Sequence, residues 1–180
     1  MYSDLVQFEG EKLELGFDNV YNAKNLKIVE CDEFTLQQTL ENKKSEIIVI
    51  HEKSPKDHLH FRRTALNQVT CKLAKKNKII IAFSFDKIIN SRDKALVFGR
   101  LMQNFKLCRK YKVKVLFASF ARNKYGMRSS HDLLSLLQVL GMTADEANKA
   151  LSVVKEIVNK NPEVAKGVKI VKNGKNKNYC

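Results

Sequence analysis

Hydrophobic positions along the chain follow two rhythms. Short runs over 2–6, 27–31, 46–51, 78–85 and 113–119 are rich in β-branched and aromatic residues and predict strands. Residues 47–50 and 79–83 are almost unbroken apolar runs, the pattern of strands buried on both faces of a parallel sheet. Segment 18–22 predicts one more short strand. Between these runs the apolar spacing lengthens to about 3.6 residues, predicting helices over 7–15, 33–43, 59–76, 91–111, 130–140 and 144–159. In 91–111, Phe98, Leu101, Met102, Phe105 and Cys108 share the buried face, leaving Arg100, Lys106, Arg109 and Lys110 to solvent. Gly16 and Gly141 read as helix C-caps. Ser129 or Ser130 reads as an N-cap, and Thr143 with Glu146 as a capping box. Strand and helix alternate five or six times, which predicts a parallel α/β architecture. A full eightfold barrel usually takes about 200–250 residues. A chain of 180 residues therefore suggests a TIM-barrel-like fold, contracted or incomplete, with a doubly wound sheet as the alternative. Asn161-Pro162 ends the last helix. The expected organisation is one domain over 1–160 and a basic, Asn-rich tail over 161–180 with one strand at 168–172.

Charge changes this picture because it is segregated. The chain carries a formal +14, but residues 1–58 hold 7 basic and 12 acidic side chains, while 59–130 hold 18 and 2, a local +16. All seven arginines (62, 63, 92, 100, 109, 122 and 128) lie in that middle block. Such a field suits a polyanion, whose counterions are released as phosphates are neutralised. No apolar run approaches the roughly 20 residues of a membrane helix. The N-terminal residues lack the basic and apolar regions of a secretory signal. Four cysteines (31, 71, 108 and 180) stand far apart without a CxxC pair, so free thiols in a reducing, cytoplasmic setting are expected.

Several catalytic signatures are missing. There is no GxxxxGK[ST], no GxGxxG after a strand, no GxSxG and no HExxH. His58 and His60 open a predicted helix, where positions two apart diverge, so they make a poor metal pair. Asp4, Asp32, His51, Glu52 and Asp86 stand at predicted strand ends. They form the carboxylate and imidazole set that a metal-dependent phosphoesterase would need, although Asp32, Asp86 and Asp132 also suit helix N-caps.

Two segments carry the densest chemistry. One runs from His60 through Arg62, Arg63, Asn67 and Lys72 to Asn77 ahead of the strand 78–85. The other runs from Ser119 through Arg122, Lys124, Arg128, Ser129 and His131 to Met142. Arg and Lys beside Ser and Asn near helix starts grip phosphate through charge-assisted and backbone N–H hydrogen bonds. In order and spacing these segments resemble the family of ribonuclease P protein component 3. The resemblance rests on Arg63, Leu66, Asn67, Val69, the run Lys72-Leu73-Ala74-Lys75-Lys76-Asn77, and Ala82-Phe83-Ser84-Phe85. It continues through Ser119-Phe120-Ala121, Met127-Arg128-Ser129, Asp132-Leu133 and Leu140-Gly141-Met142, with Leu15-Gly16-Phe17 upstream. It covers roughly residues 2–155. Thr64-Ala65 stands where the family commonly has Ser-Gly, no His-x-His follows the first strand, and the chain is short for the family.

The resemblance implies a barrel related to the polymerase-and-histidinol-phosphatase phosphoesterases, serving as a non-catalytic subunit. Implied partners are the ribonuclease P RNA and protein component 2 in a 2:2 assembly, with precursor tRNA contacted indirectly. No catalytic residue, metal or cofactor is expected in this chain, the Mg²⁺ residing on the RNA. The expected RNA contacts are Arg62, Arg63, Lys72, Arg122, Lys124 and Arg128, with Asn67, Ser129 and His131 as secondary polar groups. The alternative is a stand-alone metal-dependent phosphoesterase of the same barrel fold.

Overall fold

The structure is a computed structural model. It describes residues 2–160 apart from 14, 44, 53–55 and 58, and the backbone alone of 160, 163–165 and 168–169. Six short strands are parallel: β1 (Ser3–Val6), β2 (Asn19–Asn22), β3 (Ile28–Cys31), β4 (Ile47–Ile50), β5 (Ile80–Ser84) and β6 (Val115–Ala118). β3 to β6 form one sheet in sequential order, and β1 pairs with β2. A seam joins the two pieces. Val6 bridges Ala121 in parallel, Phe120 N donates to Leu5 O at 2.7 Å, and Gln7 N donates to Ala121 O at 2.8 Å. The order around the molecule is β2-β1-β6-β5-β4-β3. Among the described residues β2 and β3 do not pair, so the ring stays open there and the fold is an incomplete α/β barrel.

Alternation along the strands explains the two-sided core. Ile48, Ile50, Ile81, Phe83 and Phe117 face one layer, while Ile47, Val49, Ile80, Ala82, Leu116 and Ala118 face the other. The first layer is covered by α1 (Leu36–Asn42), α2 (Gln68–Asn77), α4 (Lys94–Tyr111) and α5 (Ser130–Val139). The second is filled from the end of α6 (Ala144–Lys160) by Val153, Val154 and Ile157, with Leu5 of β1. Helix α3 (Phe85–Ile89) is a short turn after β5. Residues Glu163–Ala165 and Val168–Lys169 form a small antiparallel pair, β7 and β8, where one strand over 168–172 was expected. Residues 170–172 lie outside the described residues.

Three sequence expectations are corrected. Among the described residues of 7–15 no helix forms; they make an irregular crossover, with Gly10 at φ +109° and Gly16 at φ +78°. The helix expected over 59–76 begins only at Gln68. Asn67 Oδ1 accepts from Val69 N and Thr70 N, and Thr70 Oγ1 accepts from Asn67 N, a capping box that sets the start. The helix expected over 91–111 begins only at Lys94, where Asp93 Oδ1 accepts from Leu96 N, and it is preceded by the short turn of α3, which lies outside the expected range.

Other local signals behave as read. Thr143 and Glu146 cap each other at the head of α6. Glu146 also holds Arg109 through two hydrogen bonds, and these lower its carboxyl to about 2. Gly141 at φ +95° follows α5, and Ser129 caps it. Gly16 does not end a helix. Its carbonyl accepts from Ser130 Oγ at 2.9 Å, which ties the Leu15-Gly16-Phe17 segment to the head of α5. A Cβ at Gly16 would stand 2.7 Å from that oxygen. Cys31, Cys71 and Cys108 are free and buried. Burial pushes the Cys71 thiol up to about 11 and Cys108 higher still. Cys180 lies outside the described residues. Among the described residues no helix is long and apolar enough to cross a membrane.

Candidate nucleic-acid interface

Because the six strands are parallel, their C-terminal ends share one rim. The loops that leave that rim carry most of the expected contact residues, the place where α/β barrels generally hold their functional groups. Five of the seven arginines stand on it: Arg62 and Arg63 after β4, Arg92 after β5, and Arg122 and Arg128 after β6. Lys72 and His131 lie exposed within the first five residues of α2 and α5, which begin at the same rim. The two basic segments, about sixty residues apart in sequence, are thus brought to one end of the barrel. Arg109 sits at the opposite end, beside Gly141 and Glu146.

The expected contact residues differ in how they are held. Arg122 has a side chain 71% exposed, with its Nε 3.2 Å from Asp86. Lys124 lies 3.6 Å from Glu11 and over the ring of Tyr125. Arg128 donates to the carbonyls of Tyr125 and Met127 and stacks over Phe85. Arg63 pairs with Glu33 at 3.1 Å and covers Phe34, while Arg62 donates to Gly99 O. Asn67 and Ser129 spend their side-chain oxygens on capping α2 and α5.

Sequence reading missed the scaffold beneath these groups. Arg100, expected on the solvent face of its helix, is fully buried. Its Nε donates to Asp57 Oδ1 at 2.8 Å, and the same oxygen accepts from Arg63 N. One turn later, Asn104 Nδ2 donates to Glu52 Oε1, which also accepts from Ala65 N. Burial raises the Glu52 carboxyl against the hydrogen bonds that lower it. The i, i+4 spacing of Arg100 and Asn104 puts both on one stripe of α4, aimed at the loop that presents Arg62 and Arg63.

Inside the rim lies a cavity of about 670 Å³ lined by Glu30, His51, Asp86, Lys87, Arg92 and Arg122 among others. Lys87 pairs with Glu30 and approaches His51 Nδ1 at 3.5 Å. The residues considered for a metal site each have structural duties. Asp4 holds Ser119 in the β1–β6 seam, Asp32 organises the turn before α1, Glu52 takes Ala65 and Asn104, and Asp86 takes Asn90 and Arg122. Among the described residues no three His, Cys, Asp or Glu side chains gather to hold a metal ion. Of the carboxylates weighed as N-caps, none takes that position: Thr35, Ser84 and Ser129 do, with Asp86 and Asp132 in the first helical turns.

The chain is similar to one family of known proteins. A family model described as RNase P subunit p30 matches residues 18–166. The chain is 29% identical over 177 residues to ribonuclease P protein component 3 of Methanosarcina acetivorans, covering 93% of this chain and 71% of that one. It is 34% identical over 123 residues to component 3 of Methanococcoides burtonii, covering 67% of this chain and 48% of the relative. The chain thus spans under three quarters of the first relative and about half of the second. Its fold resembles a chain in the cryo-EM structure of archaeal ribonuclease P with mature tRNA, at a TM-score of 0.58 and 19% identity over 97% of this chain and 91% of the other. The family match runs from the entry to β2 through β7, across the whole basic rim and its scaffold, and the chain belongs to the RNase P subunit p30 family.

Proposed function

We propose that this chain binds the catalytic RNA of ribonuclease P and supports removal of the 5′ leader from precursor tRNA, contributing charge and position rather than a hydrolytic group. One observation carries the reading: five arginines from three loops stand on one rim of the barrel, in a block of net +16. Arg122, Lys124 and Arg128 would exchange their present partners for phosphate oxygens; the Lys124–Glu11 pair is exposed on both sides, and such pairs are worth only about 0–1 kcal/mol. Arg62, Arg63 and Lys72 extend the same surface, with Asn67, Ser129 and His131 beside them. In this reading protein component 2 joins as a 2:2 assembly, the complex acts in the cytoplasm, and precursor tRNA is met through the RNA. Any Mg²⁺ belongs to the RNA, and this chain binds no cofactor of its own.

The test is the salt dependence of binding. The double variant Arg122→Ala/Arg128→Ala is expected to weaken binding to ribonuclease P RNA and to lower the slope of log K against log salt by about 2. An unchanged slope would remove the rim from the interface. A chelator-sensitive phosphoesterase activity of the protein alone would favour the enzyme reading instead.

A further inference from the structure

Four neighbouring strands each deliver an aromatic ring to the same rim. Tyr125 follows β6, Phe85 follows β5, Phe61 follows β4 and Phe34 follows β3. Cations stand beside three of the rings. Lys124 Nζ is 5.5 Å from the Tyr125 centroid, and Arg128 and Arg63 are each 5.6 Å from those of Phe85 and Phe34. Tyr125 is 80% exposed, Phe34 74% and Phe61 65%. Phe85 is half-buried.

Rings of this size usually sit in cores or interfaces. These stand on the rim that carries the arginines, which restricts the partner. A protein surface would have to answer both the rings and the positive field. A single RNA strand answers both at once: its bases have flat apolar faces and its phosphates sit beside them. Duplex RNA keeps its base faces stacked internally and offers only the phosphates.

We propose that the rim binds unpaired nucleotides by stacking bases on Tyr125, Phe61 and Phe34, with Lys124 and Arg63 neutralising the adjacent phosphates. This rests on the RNA-binding reading and names the kind of RNA it takes: single-stranded segments rather than helical backbone. Phe85 and Arg128 form the floor between the exposed rings.

Fluorescence anisotropy of the full chain with a labelled short oligouridylate, and with an RNA duplex of equal length, tests the proposal. Tyr125→Ala and Phe34→Ala are each expected to weaken oligouridylate binding about 10-fold. Duplex binding should change by less than about twofold, and Tyr125→Phe should retain most of the oligouridylate affinity. Thermal melting should be unchanged, since these rings are largely exposed. Equal losses on both probes, or no loss on either, would overturn stacking. So would loss of a component 2 protein by Phe34→Ala or Phe61→Ala with oligouridylate affinity intact, which would assign the rings to a protein interface. Failure of the underlying RNA reading looks different: the unaltered chain would then bind neither probe in a salt-dependent way.

Discussion

Replacing Arg100 with Met is expected to cost about 3–5 kcal/mol of folding stability, the usual penalty for breaking a buried ion pair from one side. For a chain of this size that lowers the melting temperature by roughly 10 °C. Arg100 has no solvent exposure, whereas Asp57 retains a quarter of its side-chain surface. Removing the guanidinium leaves Asp57 with only the Arg63 amide among the partners described above. It also removes the tether between α4 and the loop bearing Arg62 and Arg63. Arg100→Lys should rescue poorly, because an ammonium cannot reproduce the planar donor fork. Asp57→Asn combined with Arg100→Met should cost less than the two single losses added, since the stranded charge is gone. Thermal denaturation of Arg100→Met, Arg100→Lys, Asp57→Asn and the double variant checks this. A loss below about 1 kcal/mol for Arg100→Met would show that the pair is not structural.

Asp4→Asn is expected to stabilise the protein at alkaline pH. Asp4 is fully buried in β1, and its carboxylate accepts from Ser119 N at 2.7 Å and Ser119 Oγ at 2.5 Å across the barrel seam. Burial outweighs those hydrogen bonds and raises the carboxyl from 3.8 to about 6. The folded state therefore holds this proton more tightly than the unfolded chain. The contribution of Asp4 is most favourable below its unfolded value and is lost as pH rises through about 6. The shift corresponds to about 3 kcal/mol. An Asn keeps an acceptor for Ser119 N and supplies a donor toward Ser119 Oγ, which can turn its own proton to Leu5 O at 3.3 Å. The variant should match the parent near about pH 4 and exceed it by about 2 kcal/mol near about pH 8. Denaturant titrations across that range measure the difference. A constant difference at all pH values would contradict a raised Asp4.

The barrel was legible because buried parallel strands write themselves as uniform apolar runs. Ile47–Ile50 and Ile80–Ser84 match their expected positions within two residues. The first crossover misled because an occasional apolar residue among Glu and Lys mimics a helical period, while Gly10 and Gly16 take up positive φ and turn the chain. Asn67 and Thr70 could have marked the true start of α2, since Asn followed three residues later by Thr allows a reciprocal cap. The basic rim was legible in part. Charge segregation singled out the block, but only the parallel topology shows that its two halves meet. Arg100 was not legible, because a helical wheel places an arginine in water unless the partner across the groove is known. The aromatic rim was equally hidden: Phe34, Phe61 and Tyr125 lie in three different loops, and their exposure depends on where those loops end.

Precursor-tRNA cleavage shows whether the protein acts with RNA. A matching catalytic RNA at modest Mg²⁺ would be assayed alone, with a component 2 protein, and with that protein plus this chain. Cleavage is expected to rise only when RNA and both proteins are present, and to fall again with Arg122→Ala/Arg128→Ala. Cleavage that is indifferent to this chain, or that the chain performs without RNA, would contradict a role with RNA.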